Sequence, residues 1–209
     1  MNLLERRTAD PSLVNLMAAH QACQYLLTTK QEGELYKPLE KESKDKTSVA
    51  VYADASYSGE GLRSQTEVLV QMNGHPIIWY SRRQDTVSLS ITEAEYIAAY
   101  EGAKDASWVQ QLIEELTKTR PTPVLYTENE AADKLSKNQA YHCRTRHIQH
   151  RWHYLRQQVT AGDLTVRGIP SNQELADLLT KLKATTVVKA WKENIGMTEK
   201  GIFMNCVLE

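Results

Sequence analysis

Apolar residues recur at helical spacing through residues 13–29, where Leu13, Leu16, Met17, His20 and Cys23 mark one side of a helix. Residues 31–46 are charged, mixed in sign and poor in apolar side chains, the composition of an exposed linker. The period then changes. Residues 48–53 are apolar and partly β-branched, and residues 67–72 and 76–81 flank Asn73-Gly74. That pair suits a type I′ turn, whose two central positions need positive φ, so three antiparallel strands are the economical reading. The clearest helix covers residues 92–117, with Tyr96, Ala99, Ala103, Ala106, Val109, Ile113 and Leu116 on one stripe. Pro121 and Pro123 end it, and residues 123–127 read as a buried strand. Helices over 129–137 and 146–161 follow, then a turn at Gly162-Asp163 and a strand over 164–167. The last pattern, 173–194, is helical with an interruption near Lys183, and Gly196 is placed to cap it. The order βββαβααβα predicts an α/β fold, a mixed sheet with helices on its faces.

Composition narrows the classes. With 209 residues, 41% of them hydrophobic, the chain can bury one core and carry appendages. Charge is nearly balanced, 25 Lys and Arg against 26 Asp and Glu, which excludes a globally basic nucleic-acid binder. A local basic face remains. No acidic residue falls between Lys134 and Gly162, a stretch holding Lys134, Lys137, Arg144, Arg146, Arg151 and Arg156. The three cysteines, Cys23, Cys143 and Cys206, lack the spacing of a zinc site or a disulfide framework. No apolar run is long enough to span a membrane, and the first residues lack the apolar core of a signal peptide. The reading is therefore an intracellular protein without a membrane partner.

Asp54 closes an apolar strand, Glu95 opens a helix and Asp177 lies early in another. Carboxylates far apart in sequence, each at the edge of a regular element, suggest a metal site assembled by the fold. Hard cations such as Mg²⁺ take oxygen ligands, and a two-metal site can activate water against a phosphodiester. Competing roles exist. Thr92-x-x-Glu95 has the form of a capping box, a service that Ser90-x-x-Glu93 offers earlier in the same helix. Asp54 also suits a turn, and Asp177 a helix surface.

The segments Val51-Tyr-Ala-Asp-Ala-Ser, Ser90-Ile-Thr-Glu-Ala-Glu-Tyr-Ile-Ala, Leu125-Tyr-Thr-Glu-Asn and Leu175-Ala-Asp-Leu-Leu-Thr-Lys resemble the ribonuclease H domain of Ty1/copia-type retrotransposon reverse transcriptases. The basic stretch from Arg144 to Arg156 resembles a helix of the same family. Four short motifs in order carry the resemblance over about residues 48–197, and residues 10–29 resemble the closing helix of the polymerase part. The resemblance implies a ribonuclease H-like fold with a five-stranded sheet, three antiparallel strands then two parallel. It divides the chain into residues 1–46, a ribonuclease H-like domain over 47–197, and a tail over 198–209. It implies a metal and catalytic set of Asp54, Glu95, Glu128 and Asp177, holding two Mg²⁺ ions for which Mn²⁺ substitutes. The substrate is then the RNA strand of an RNA–DNA hybrid, and the polymerase part of the same polyprotein is a partner. The location implied is a cytoplasmic retroelement particle or the nucleus.

The chain departs from the family at three places. Glu128 stands where the family has Asp and reaches further by on the order of 1 Å, a looseness that spoils designed sites. Gln149 stands where Asp is usual, and the loop Gly168-Ile-Pro-Ser-Asn lacks a His found in many cellular ribonucleases H. These departures keep open an alternative, a degenerate or domesticated module that binds nucleic acid or protein without cutting.

His142, Cys143, His147, His150 and His153 prompt a zinc reading, but positions i, i+3 and i+6 fan around a helix instead of converging. A cationic helix facing phosphates is the better reading, with Arg144, Arg146, Arg151, Arg156 and Lys137 as contacts. A solvated basic surface is its bland counterpart.

Overall fold

The structure, a computed structural model, describes residues 4, 8–34, 36, 47–59, 62–127, 149–179 and 185–198. These belong to two compact units, Leu39–Ala184 and Met1–Pro38 with Thr185–Glu209.

In the larger unit a hairpin comes first. Strands β2 (Val49–Ser56), β3 (Gln65–Met72) and β4 (His75–Arg83) pair antiparallel in sequence order. Asn73 (φ 53°) and Gly74 (φ 83°) both take positive φ at the β3–β4 turn, as the Asn-Gly pair predicts. After helix α2 (Ile91–Thr117), β5 (Val124–Thr127) pairs parallel to β2. Helix α3 (Gln149–Ala161) leads to β6 (Thr165–Gly168), parallel to β5. The sheet order β4-β3-β2-β5-β6 is the mixed five-stranded sheet expected.

One face of this sheet is apolar. Val49, Val51, Ala53, Val68, Val70 and Leu125 pack beneath Tyr96, Ala99, Ala103, Ala106, Val109 and Ile113 of α2. Small residues let this helix lie close to the strands. A Cβ at Gly102 would stand 3.0 Å from Val51 Cγ1 and 3.3 Å from Ala53 Cβ, inside normal contact. Leu155 of α3 completes the cluster, and Tyr154 Oη donates to Ser107 Oγ of α2 at 2.8 Å. Gln110, buried on α2, donates its amide to the Pro121 carbonyl at 2.8 Å and so anchors the entry to β5.

Three expectations need correction. Leu116 is 75% exposed, because the helix runs past the sheet before Lys118 ends it at φ 61°. β2 continues two residues beyond Asp54, since Ala55 and Ser56 pair with Thr66 and Gln65. Among the described residues of the pattern over 173–194, the part before 180 is not α-helical but forms the 3₁₀ turn Ala176–Leu179 after another at Ser171–Gln173, and helix α4 is Thr185–Asn194, while the interruption expected near Lys183 lies outside the described residues. Glu174 Oε1 accepts from the Ala176 N–H at 3.1 Å, which satisfies that amide outside a helical ladder. The helix expected over 129–137 lies outside the described residues.

The smaller unit holds helix α1 (Leu13–Thr28), with Ser12 as its N-cap, and α4. Its two strands, β1 (Gly33–Glu34) and β7 (Met197–Thr198), pair antiparallel. Lys192 pairs with Glu32 and lies 5.1 Å from the Tyr25 ring centroid. Among the described residues no helix is long and apolar enough to cross a membrane.

Candidate carboxylate site

Strand alternation positions Asp54. Val51, Ala53 and Ala55 turn toward α2, so Asp54, between the last two, projects from the opposite face. It is only 6% exposed. Directly across the β2–β3 ladder stands Glu67, which is 0% exposed. Paired residues of adjacent strands share a face, so two buried carboxylates oppose each other, an arrangement that is destabilising by itself. Nothing local in the sequence singles out Glu67. Every residue from Gln65 to Gln71 is buried, so the alternation that would reveal its face is absent.

Glu95 comes from the first turn of α2. The capping role that competes for it falls to its neighbours. Ser90 Oγ accepts from the Glu93 N–H at 3.1 Å, and Glu93 Oε2 accepts from the Leu89 N–H at 2.9 Å. Ala94 and Ala98, on either side of Glu95, pack on Ala55, the residue after Asp54. The body of α2 covers the apolar face, whereas Asp54 projects from the second face.

Asp177 lies in the second 3₁₀ turn, which rests on β2 and β3, and it is 5% exposed. This segment covers the second face. Burial first, then the electrostatic influence of the Tyr126 phenol and of the Glu174 charge, push the Tyr52 phenol above its ordinary pKa. Tyr52 shares the face of Asp54, being two residues away on the same strand. Asp54, Glu67 and Asp177 are thus associated with one face of the β2–β3 pair. Among the described residues, no group of three or more His, Cys, Asp or Glu is placed to hold a metal ion. The fourth predicted ligand, Glu128, immediately follows β5 and lies outside the described residues.

The basic stretch is described only from Gln149 onward, so Lys137, Arg144 and Arg146 lie outside it, as do His142, Cys143 and His147. Arg151 donates to Thr86 Oγ1 at 3.3 Å and its guanidinium carbon stands 5.8 Å from the Tyr100 ring centroid. Its backbone carbonyl accepts from Tyr96 Oη at 3.3 Å. Arg156 is half-buried and its charge acts on the Tyr96 phenol, which burial raises far above the ordinary value. His150 and His153 are exposed.

No protein-family model matches the chain. The retrovirus-related Pol polyprotein from transposon TNT 1-94 of Nicotiana tabacum is 39% identical over 148 residues, 70% of this chain and 11% of that protein. The corresponding polyprotein from transposon RE1 of Arabidopsis thaliana is 32% identical over 202 residues, 95% of this chain and 13% of that protein. The chain therefore spans a small part of the length of these relatives. Among solved structures, LC11-RNase H1, isolated from compost, matches with a TM-score of 0.50 at 15% identity, over 63% of this chain and 91% of that one. That likeness shows the fold.

Proposed function

Because the chain is homologous to part of the Pol polyproteins of copia-type transposons and folds as a ribonuclease H, we propose that it is an endonuclease cutting the RNA strand of RNA–DNA hybrids. The observation that carries this reading is the burial of Asp54 inside a strand, on the face that the turn bearing Asp177 covers. A carboxylate held by a packed strand has little freedom to relax, the preorganisation that a catalytic site needs. An all-carboxylate donor set fits hard divalent cations, so Asp54, Glu95, Glu128 and Asp177 would hold two Mg²⁺ ions, or Mn²⁺ in their place. When bound, the ions supply an activated water and a counter-charge for the leaving oxygen.

The remaining work belongs to the chain. Arg144, Arg146, Arg151, Arg156 and Lys137 contact phosphates, and the hybrid is recognised by shape and 2′-hydroxyl groups. The polymerase part of the polyprotein is the covalent neighbour. The deciding experiment follows cleavage of a labelled hybrid with Mg²⁺ or Mn²⁺ beside an Asp54→Asn control. Metal-dependent cutting that the control abolishes supports the reading, and cutting that survives in the control ends it.

A second reading, a module that binds without cutting, is favoured by Glu128 in place of Asp and by Gln149. It requires that neither the parent nor Glu128→Asp cleaves under either metal, while Asp54→Asn still binds hybrid. On the enzymatic reading, Glu128→Asp improves weak Mg²⁺-dependent cleavage.

A further inference from the structure

Gln84 follows β4 and is only 4% exposed, yet its amide is fully engaged. Nε2 donates to the Ala94 carbonyl at 2.8 Å and to Thr66 Oγ1 at 3.1 Å. Oε1 accepts from Ser88 Oγ at 2.6 Å, and the backbone N–H donates to the Ser64 carbonyl at 2.8 Å. One side chain therefore joins three elements: the start of β3, the loop before α2 and the first turn of α2. Its two side-chain acceptors are telling. Ala94 immediately precedes Glu95, and Thr66 immediately precedes Glu67, which faces Asp54. A buried amide with both donor and acceptor used is a geometric constraint, because any shift leaves a polar group without a partner in the interior.

We propose that Gln84 is a positioning residue for the carboxylate site, fixing the first turn of α2, and Glu95 with it, against the β3 strand that carries Glu67. This rests on the nuclease reading given above. Gln84 touches no reacting atom. It sets the separation between a helix on one face of the sheet and a carboxylate on the other, a separation that packing between Ala55, Ala94 and Ala98 alone, small and apolar, fixes poorly.

The test compares Gln84→Met, similar in length but without hydrogen bonds, and the milder Ser88→Ala with Ile113→Ala, a buried core change about five helical turns along α2 from Glu95. At a temperature where all are folded, Gln84→Met is expected to lower kcat at least about 10-fold, toward the roughly 10²-fold loss that a 1 Å misplacement produces. KM for the hybrid changes far less than kcat, since no phosphate-contacting side chain is itself altered, and the Mg²⁺ concentration needed for half-maximal rate rises. Ser88→Ala moves the same quantities in the same direction by less. Without metal, amide exchange in the first turn of α2 quickens in Gln84→Met, while amides near Val109 and Ile113 keep their protection. Ile113→Ala lowers stability and leaves kcat of the folded protein unchanged. A Gln84→Met protein with parental kcat and first-turn exchange overturns the proposal, as does an equal kcat loss in Ile113→Ala. A parent that cleaves no better than Asp54→Asn instead overturns the nuclease reading and the proposal with it.

Discussion

The two faces of the β2–β3 pair are built from alternate residues of the same strands and answer to opposite demands. Toward α2, Val49, Val51, Ala53, Val68 and Val70 are sealed under small and apolar helix residues. Away from it, Tyr52, Asp54, Glu67 and Leu69 are as deeply covered or nearly so, yet two of the four are carboxylates. Burying apolar area drives folding, whereas burying ionised carboxylates opposes it and favours the proton or a cation. A strand pair can tolerate the second face because the first supplies the stability. The faces should therefore respond to substitution in different measurements.

The sharpest separation comes from Asp54→Asn. Hydrolysis should fall by roughly 10³-fold, the several kcal/mol that metal-assisted charge stabilisation contributes, with the melting temperature equal to the parent's or higher. A large loss of stability in this variant would erase the distinction between the faces. On the other side, Leu125→Ala should cost about 2–5 kcal/mol in denaturant unfolding, with kcat per folded molecule retained. Leu125 is fully buried and would lie 3.4 Å from a Cβ at Gly102, so little around it can collapse into the cavity.

A smaller effect belongs to Glu67. Its charge adds to that of Asp54, so Glu67→Gln should reduce the rise in melting temperature produced by Mg²⁺ by an amount corresponding to about 0.2–1 kcal/mol. An unchanged rise would detach Glu67 from the site.

The smallest effect concerns neither face. In the smaller unit, burial raises the Glu34 carboxyl from 4.5 to about 7, partly offset by a hydrogen bond with Tyr36. Folded β1 then binds its proton more tightly than the unfolded chain does. The stability this provides is complete below pH 4.5 and is lost as pH rises through about 7. Amides of the β1–β7 pair, corrected for intrinsic exchange, should lose protection over that range, and Glu34→Gln should flatten the dependence.

Much of the fold was legible because local signals agreed. Asn73-Gly74 dictated the hairpin, and the stripe from Tyr96 to Ile113 dictated the face of α2. Ser90 and Glu93 capped that helix, as one of two competing readings allowed. The resemblance named Asp54, Glu95 and Asp177, but their surroundings were less accessible. A strand covered on both sides shows no alternation, so Glu67 was invisible, and the end of β2 depended on partners a hairpin away. The 3₁₀ turn holding Asp177 begins at an amide that the Glu174 side chain satisfies, a contact that periodicity does not record. β1 and β7, two residues each, pair across more than 160 residues of chain and leave no local pattern. Gln84 reads as an ordinary polar residue until its partners are known.

Gly102 gives α2 a fulcrum. The helix lies close against β2 there, and Glu95 lies seven residues toward its N-terminus, a lever arm of about 10 Å. A tilt of about 3° at that point would swing the first turn by about 0.5 Å. A methyl group added at position 102 is thus felt less in the core it enters than at the far end of the beam, where a carboxylate must meet its counterpart from the other side of the sheet.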